Sequence, residues 1–243
     1  MRNEELKVTE IVKLSPTTKS IRLGLKEKLN FIPGQFIIIE VDLAKTGKFD
    51  VKGKDNIQKR CYSISSLPTD PFLEITVKKT ENGIVSNYLV NYLKVGGTMK
   101  VSGPHGRFYF DKNNTRKNVH LISMGSGACP LYSILKHIKN ENIPVKTHYL
   151  FSASYENELL WRKEIESMAS EDITYEFTIT RESPKNWKGS LGRINKEIIE
   201  KGIKSKTETD FYLCGSPEFV KSTIENLREM GIDDKSIKKE VYD

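Results

Sequence analysis

The chain is 243 residues long, 37% hydrophobic and 29% charged, with a formal net charge of +7. At about 100–200 residues per domain that length predicts two domains, and ten Phe and ten Tyr among the apolar residues exclude a wholly disordered chain. No apolar run reaches the roughly 18 residues of a membrane span. The opening Met1-Arg2-Asn3-Glu4-Glu5 lacks the apolar core of a secretion signal, and three distant cysteines (61, 129, 214) suit neither a disulfide framework nor a four-ligand cluster, so a soluble, reduced, cytoplasmic protein is expected.

In chain order, Val8–Val12, Lys19–Leu25 and Gln35–Val41 are short β-branched runs bounded by turn residues such as Ser15-Pro16 and Pro33-Gly34. Ala44–Lys59 is the longest expected loop, and the run after it, through Arg60–Ser63, is again strand-like. Phe72–Lys78 and Thr98–Ser102 are further strands; Ile84–Leu93 carries apolar residues at helical spacing, ended by Gly96-Gly97. Many short strands with Gly/Pro turns predict a six-stranded antiparallel barrel. The polar stretch Asp111–Asn118 is the expected boundary between a domain at 1–112 and a domain at 119–243. Beyond it strands at Val119–Ser123, Lys146–Phe151, Thr174–Ile179 and Phe211–Cys214 alternate with helices at Leu131–Lys139, Glu156–Met168 and Pro217–Met230. That alternation predicts a Rossmann-like α/β domain with a parallel sheet. Residues 1–117 hold nine more basic than acidic residues and the remainder two fewer, so the basic excess is confined to the barrel half. It suits phosphates, an acidic protein or nucleic acid, or is an ordinary Lys-rich surface.

Five motifs stand out, most with a plain structural alternative. Arg60-Cys61-Tyr62-Ser63 puts a cation and an aromatic on one face of a strand and Ser63 on the other, which suits a phosphate next to a flat ring; an ordinary barrel strand has the same pattern. Gly83-Ile84-Val85-Ser86 opens the one barrel helix, whose free N–H groups suit a phosphate, or is a plain capped turn. Gly125-Ser126-Gly127 with Pro130 follows a strand and opens a helix, the context of a dinucleotide loop, although the third fingerprint glycine is absent. Cys214-Gly215 ends a parallel strand, where ligands of open α/β sheets gather, or is a buried inert thiol. Thr180-Arg181-Glu182, with Arg193, offers two cations for a 2′-phosphate or is solvated surface charge. The four histidines lack metal-ligand spacing.

The order of these motifs is more specific than any one of them: Arg-x-Tyr-Ser, Gly-x-x-Ser, Gly103-Pro104-His105-Gly106-Arg107-Phe108, Gly-x-Gly-x-x-Pro, Cys-Gly and a terminal Glu240-Val241-Tyr242. Over essentially the whole chain this set resembles the ferredoxin–NADP reductase family of flavoproteins. The resemblance implies an FAD-binding barrel followed by an NAD(P)H-binding domain. It implies that Arg60 contacts the flavin phosphates, Tyr62 packs on the isoalloxazine and Ser63 bonds near flavin N5, with Cys61 and Lys78 alongside. By the same resemblance, Gly83, Val85 and Ser86 are expected to take the pyrophosphate, and Gly125, Ser126, Gly127, Pro130, Gly215 and Tyr242 to line the nicotinamide nucleotide. Ser63, Cys214 and Glu240 are the residues implied at the reacting ring, and Thr180, Arg181 and Arg193 the contacts that favour NADPH over NADH. The chain departs from the family in lacking an Arg in Phe151-Ser152-Ala153-Ser154, and it carries no four-Cys segment, so its electron acceptor is expected to be another molecule.

The implied activity is hydride transfer between NAD(P)H and bound FAD, with electrons passing to or from an acidic carrier such as ferredoxin or flavodoxin. The alternatives are a reductase of free flavin or small oxidants, an electron-transfer subunit of a larger oxidoreductase, or, outside enzymes, a basic barrel that binds nucleic acid.

Overall fold

A computed structural model of the chain describes residues 4–47, 56–113 and 115–242. The chain divides into two compact units, Met1–Tyr109 and Phe110–Asp243. Phe110 belongs with the second because its ring meets those of His137 and Tyr212. Among the described residues no helix is long and apolar enough to cross a membrane.

The first unit is one antiparallel sheet of β1 (Glu4–Lys13), β2 (Thr18–Gly24), β3 (Phe36–Asp42), β4 (Ile57–Ser63), β5 (Phe72–Lys78) and β6 (Thr98–His105). Two helices interrupt it, α1 (Leu43–Thr46) and α2 (Ile84–Asn91). The strand order is β4-β3-β6-β1-β2-β5. The end strands approach one another where the chain leaves β4: Ile64 bridges Ile75, and Ser65 N–H donates to Glu74 O at 2.8 Å. This closes the sheet into a barrel. Alternation places Leu6, Val8, Ile21, Leu23, Ile37 and Ile39 inside at 1% exposure or less. Each such side chain contributes about 1.5–3 kcal/mol on burial. The barrel wall also carries a polar bracket, in which Arg22 bridges Glu10 and the buried Glu74.

The expected loop at Ala44–Lys59 is partly corrected. Asp42 caps Leu43–Thr46 as a short helix by accepting from Lys45 N–H, and the strand begins at Ile57; positions 48–55 lie outside the described residues. Helix α2 ends at Asn91, before Gly96-Gly97, which belong to the turn into β6.

The second unit is a parallel sheet of β7 (Asn118–Met124), β8 (Lys146–Ala153), β9 (Ile173–Ile179), β10 (Ser190–Leu191), β11 (Thr209–Gly215) and β12 (Ile237–Val241). Helices α3 (Ala128–Asn140), α4 (Arg162–Met168), α5 (Lys196–Glu200) and α6 (Pro217–Glu229) connect the strands. The order is β10-β9-β8-β7-β11-β12, so the chain builds outward from β7 in one direction and then returns to its other side. The strand order reverses between β7 and β11, the place where open α/β sheets bind ligands.

The helix expected over Glu156–Met168 is broken. Residues 156–158 make one 3₁₀ turn, and α4 starts at Arg162 after Trp161, whose φ of 54° is left-handed and stops a helix. The Trp161 ring stacks on Tyr132 with centroids 4.2 Å apart, a contact that accompanies the break.

Side by side in this sheet, His120 of β7 lies opposite His148 of β8, with ring centroids 4.8 Å apart. Both are buried, and three of their four ring nitrogens have no hydrogen-bond partner among the described residues; His148 Nδ1 meets Thr174 Oγ1 at 2.8 Å. Burial holds both rings neutral, His120 well below the usual range and His148 at about 4.

Candidate functional site

In the first unit the site is carried by side chains on β4 and by the start of α2. Pairing with β3 sets Arg60 opposite Ile39 and Tyr62 opposite Ile37. Arg60 is exposed; its guanidinium donates to Lys59 O at 2.7 Å and has no carboxylate partner among the described residues. Tyr62 packs its ring partly against the barrel core. Burial pushes its phenol up to about 12, against the pull of the nearby Arg60 cation. On the opposite face of the strand Cys61 is exposed and Ser63, at its end, is buried.

Helix α2 opens without a side-chain cap, because its N-cap is Gly83. A Cβ there would stand 2.0 Å from Thr80 Oγ1 and 2.4 Å from Ser86 Oγ, so the turn admits only glycine. Those two hydroxyls lie 3.1 Å apart, and Ser86 Oγ donates to Gly83 O and accepts from Thr80 N–H. The Ser86 hydroxyl is therefore engaged inside the turn, and the Val85 side chain is in the core. What these residues present outward is peptide N–H at the positive end of the helix. Lys78, half-buried, ends β5. An exposed guanidinium, an uncapped helix start and a half-buried aromatic ring on one unit fit a dinucleotide carrying a flat ring system.

In the second unit the site is made of backbone. Gly125-Ser126-Gly127 is a 3₁₀ turn between β7 and α3. A Cβ on Gly127 would stand 2.2 Å from Cys214 O and 2.7 Å from Gly215 N, so the Gly loop and the Cys-Gly end of β11 are in direct backbone contact at the switch point. Pro130 is buried in the first turn of α3, which has no side-chain cap. Beside them β12 sets Glu240 opposite Cys214, and Tyr242 N–H donates to Gly215 O at 2.9 Å.

Cys214 is fully buried. Burial raises its thiol well above the usual range, Glu240 and Cys129 raise it further, and a hydrogen bond with Tyr242 opposes them. At neutral pH it is a protonated thiol in the wall of the site, with neither the exposure nor the charge of a nucleophile. Glu240 and Tyr242 are half-exposed.

The third group gathers at the carboxyl ends of β8, β9 and β10. Ile179 pairs with Ala153 on one side and Leu191 on the other. The ladder runs on past these ends: Thr180 N–H donates to Ala153 O, Arg181 N–H to Ser154 O and Gly192 N–H to Ile179 O. Two residues beyond Ala153, Ile179 and Leu191 stand Tyr155, Arg181 and Arg193. Both arginines are exposed and have no ion-pair partner among the described residues. Thr180 turns its hydroxyl toward Ala153 O at 3.4 Å.

The loop bearing Arg181 is tied down. Glu182 accepts from Glu156 N–H, Arg162 pairs with Glu156 and Glu166, and the Arg162 guanidinium lies 5.2 Å from the Trp187 ring. Trp187 Nε1 donates to Ser190 O at 2.9 Å. The sequence reading missed Tyr155, Glu182 as a tether, and Trp187. The available signal was an aromatic directly after a parallel strand.

The chain matches two families. The Oxidoreductase FAD-binding domain family covers residues 5–110, and the Oxidoreductase NAD-binding domain family covers residues 121–225. It is 31% identical to Ferredoxin--NADP reductase B of Sorangium cellulosum, over 76% of this chain and 78% of that protein. It is 30% identical to Flavohemoprotein B of Dictyostelium discoideum over 98% of its length, and 26% identical to the Toluate 1,2-dioxygenase electron transfer component of Pseudomonas putida over 93%. It spans only 59% and 63% of those two proteins. Among solved structures, the FAD/NAD-binding domain of nitric oxide dioxygenase from Vibrio cholerae superposes with a TM-score of 0.85 at 27% identity, covering 100% of this chain and 99% of that one. With an FAD-binding family matched over the first half, an NAD-binding family over the second, and 31% identity to a ferredoxin–NADP reductase, the chain belongs to the ferredoxin–NADP reductase family of FAD- and NAD(P)-binding oxidoreductases.

Proposed function

We propose that the chain is an NADPH-oxidising reductase that passes electrons to an acidic carrier protein of ferredoxin or flavodoxin type. Arg60 and the start of α2 hold the FAD pyrophosphate, Tyr62 packs on the isoalloxazine, and Ser63 supplies a hydrogen bond near its N5. Gly125–Gly127, Pro130 and Cys214-Gly215 form the bed of the nicotinamide nucleotide, with Glu240 and Tyr242 at its edge. When bound, FAD supplies the hydride and one-electron chemistry; the protein orients the reactants and excludes water.

The observation that carries the preference for NADPH is that Arg181 and Arg193, both exposed and without an ion-pair partner among the described residues, each follow by two residues the paired Ile179 and Leu191 of neighbouring strands. A 2′-phosphate is the group such a pair binds, and NADH lacks it. The acidic carrier is favoured by the basic excess of the first 117 residues.

The test is anaerobic mixing of the FAD-loaded protein with NADPH and, separately, with NADH. NADPH should bleach the flavin faster. Arg181→Ala should raise the KM for NADPH about tenfold and leave that for NADH unchanged. Equal bleaching rates, with equal effects of the substitution, would remove the preference.

A second reading has its own support. Because the chain spans about 60% of the flavohemoprotein and of the dioxygenase electron transfer component, it also fits the reductase portion of a larger electron-transfer assembly. Reduction of a purified acidic carrier in a reconstituted assay, slowed by salt, separates the two.

A further inference from the structure

We propose that Arg162 is a positioning residue that braces the two connections carrying Arg181 and Arg193, and through them sets the preference for NADPH. The proposal rests on those two arginines receiving the 2′-phosphate, and adds the device that keeps them in place. Arg162 is the first residue of α4, directly after the left-handed turn at Trp161. A cation in the first turn of a helix works against the helix dipole, so α4 itself gives no reason for an arginine there. The guanidinium is instead engaged on three sides. It pairs with Glu156, its Nε donates to Glu166 Oε1 at 2.8 Å, and its carbon stands 5.2 Å from the centre of the Trp187 ring.

Two of these contacts lead on to the two arginines. Glu156 N–H donates to the carboxylate of Glu182, the residue after Arg181. The Trp187 indole N–H donates to Ser190 O at 2.9 Å, three residues before Arg193. Arg162 therefore braces both connections from one point. A lone ion pair at such exposure holds little, but a planar guanidinium shared by two carboxylates and an aromatic face has its orientation fixed. Arg162 is thereby occupied, whereas Arg181 and Arg193 have no ion-pair partner among the described residues. An arginine that starts from fixed backbone loses less freedom when it closes on a phosphate, so bracing is read as affinity for the ligand that has one. NADH, without a 2′-phosphate, gains nothing from it.

The test is steady-state kinetics of the FAD-loaded full chain with NADPH and with NADH, ferricyanide taking the electrons. Arg162→Ala should raise the KM for NADPH about fivefold and leave kcat, and both constants for NADH, unchanged. Trp187→Phe keeps a ring and the net charge but removes the indole N–H. It should raise the KM for NADPH about threefold, which separates bracing from the loss of a nearby positive charge. In a chain already carrying Arg181→Ala and Arg193→Ala, the further change Arg162→Ala should add nothing, because a positioning residue acts only through the groups it positions. A wild-type KM for NADPH in Arg162→Ala or Trp187→Phe would overturn the brace while leaving the phosphate site standing. So would an equal rise for both nucleotides, or a rise that persists without the two arginines. A wild-type KM for NADPH in Arg181→Ala would overturn the phosphate site itself, and the brace with it.

Discussion

Arg60 stands exposed on β4 with Tyr62 half-buried near it in sequence, while Gly127 lies so close to Cys214 and Gly215 that a single added methyl would stand 2.2 Å from a carbonyl oxygen. As proposed above, strand β4 offers its ligand side-chain groups, and the loop between β7 and α3 offers a bed of backbone shaped by what is missing at Gly127. Side-chain sites lose affinity gradually as groups are removed. A backbone bed fails when anything is added to it, because close-packed peptide groups have nowhere to go.

The largest expected effect tests that contrast directly. Gly127→Val should cost the second unit about 3 kcal/mol or more and abolish reduction by NAD(P)H, while the protein stays yellow with FAD. Wild-type reduction kinetics in this variant would end the comparison. Next comes acid. The His148 proton affinity is lowered from 6.5 to about 4, so the unfolded chain binds the proton more tightly than the folded one. Stability is therefore full above pH 6.5 and falls by about 3 kcal/mol as the pH drops through the window from 6.5 to about 4. His120, pushed the same way, adds to the loss. Both tryptophans, Trp161 and Trp187, lie in the second unit, so their fluorescence reports that unit alone. It should show acid unfolding that His148→Asn shifts to lower pH; an unshifted midpoint would clear the histidine pair. The smallest effect belongs to the exposed site: Arg60→Ala should loosen FAD about tenfold, read by fluorescence of the released flavin, without moving the acid transition.

The barrel strands and the β–Gly loop–α junction were legible because their signals are local: alternation of apolar residues, turn residues, and glycine between a strand and a helix. Element β10 was not, since two residues, Ser190 and Leu191, carry no period and exist as a strand only through pairing with Thr178 and Ile179. Nor was β12, whose Ile-Lys-Lys-Glu-Val reads as polar surface and is held by its neighbour β11. The break at Trp161 was hidden because a non-glycine residue with positive φ leaves no mark in the apolar pattern. For the site the same division holds. Arg181 and Arg193 were visible as cations, but their adjacency is a matter of register between strands. Ser86 was visible as a hydroxyl at a helix start, but the Thr80 partner that engages it was not.

Strand β4 ends the order of its sheet, with β3 as its one ladder partner among the described residues. Ahead of the Ile64–Ile75 bridge that closes the barrel, this end strand carries Lys59 and Arg60, charges of the kind that discourage foreign strands from pairing. The guanidinium assigned to a phosphate is thus also a guard against self-association. An enzyme stripped of flavin keeps that guard, whereas a variant that loses Arg60 gives up affinity and colloidal stability at once. Light scattering of the apo wild type beside the Arg60 variant would tell a lost ligand from a lost guard.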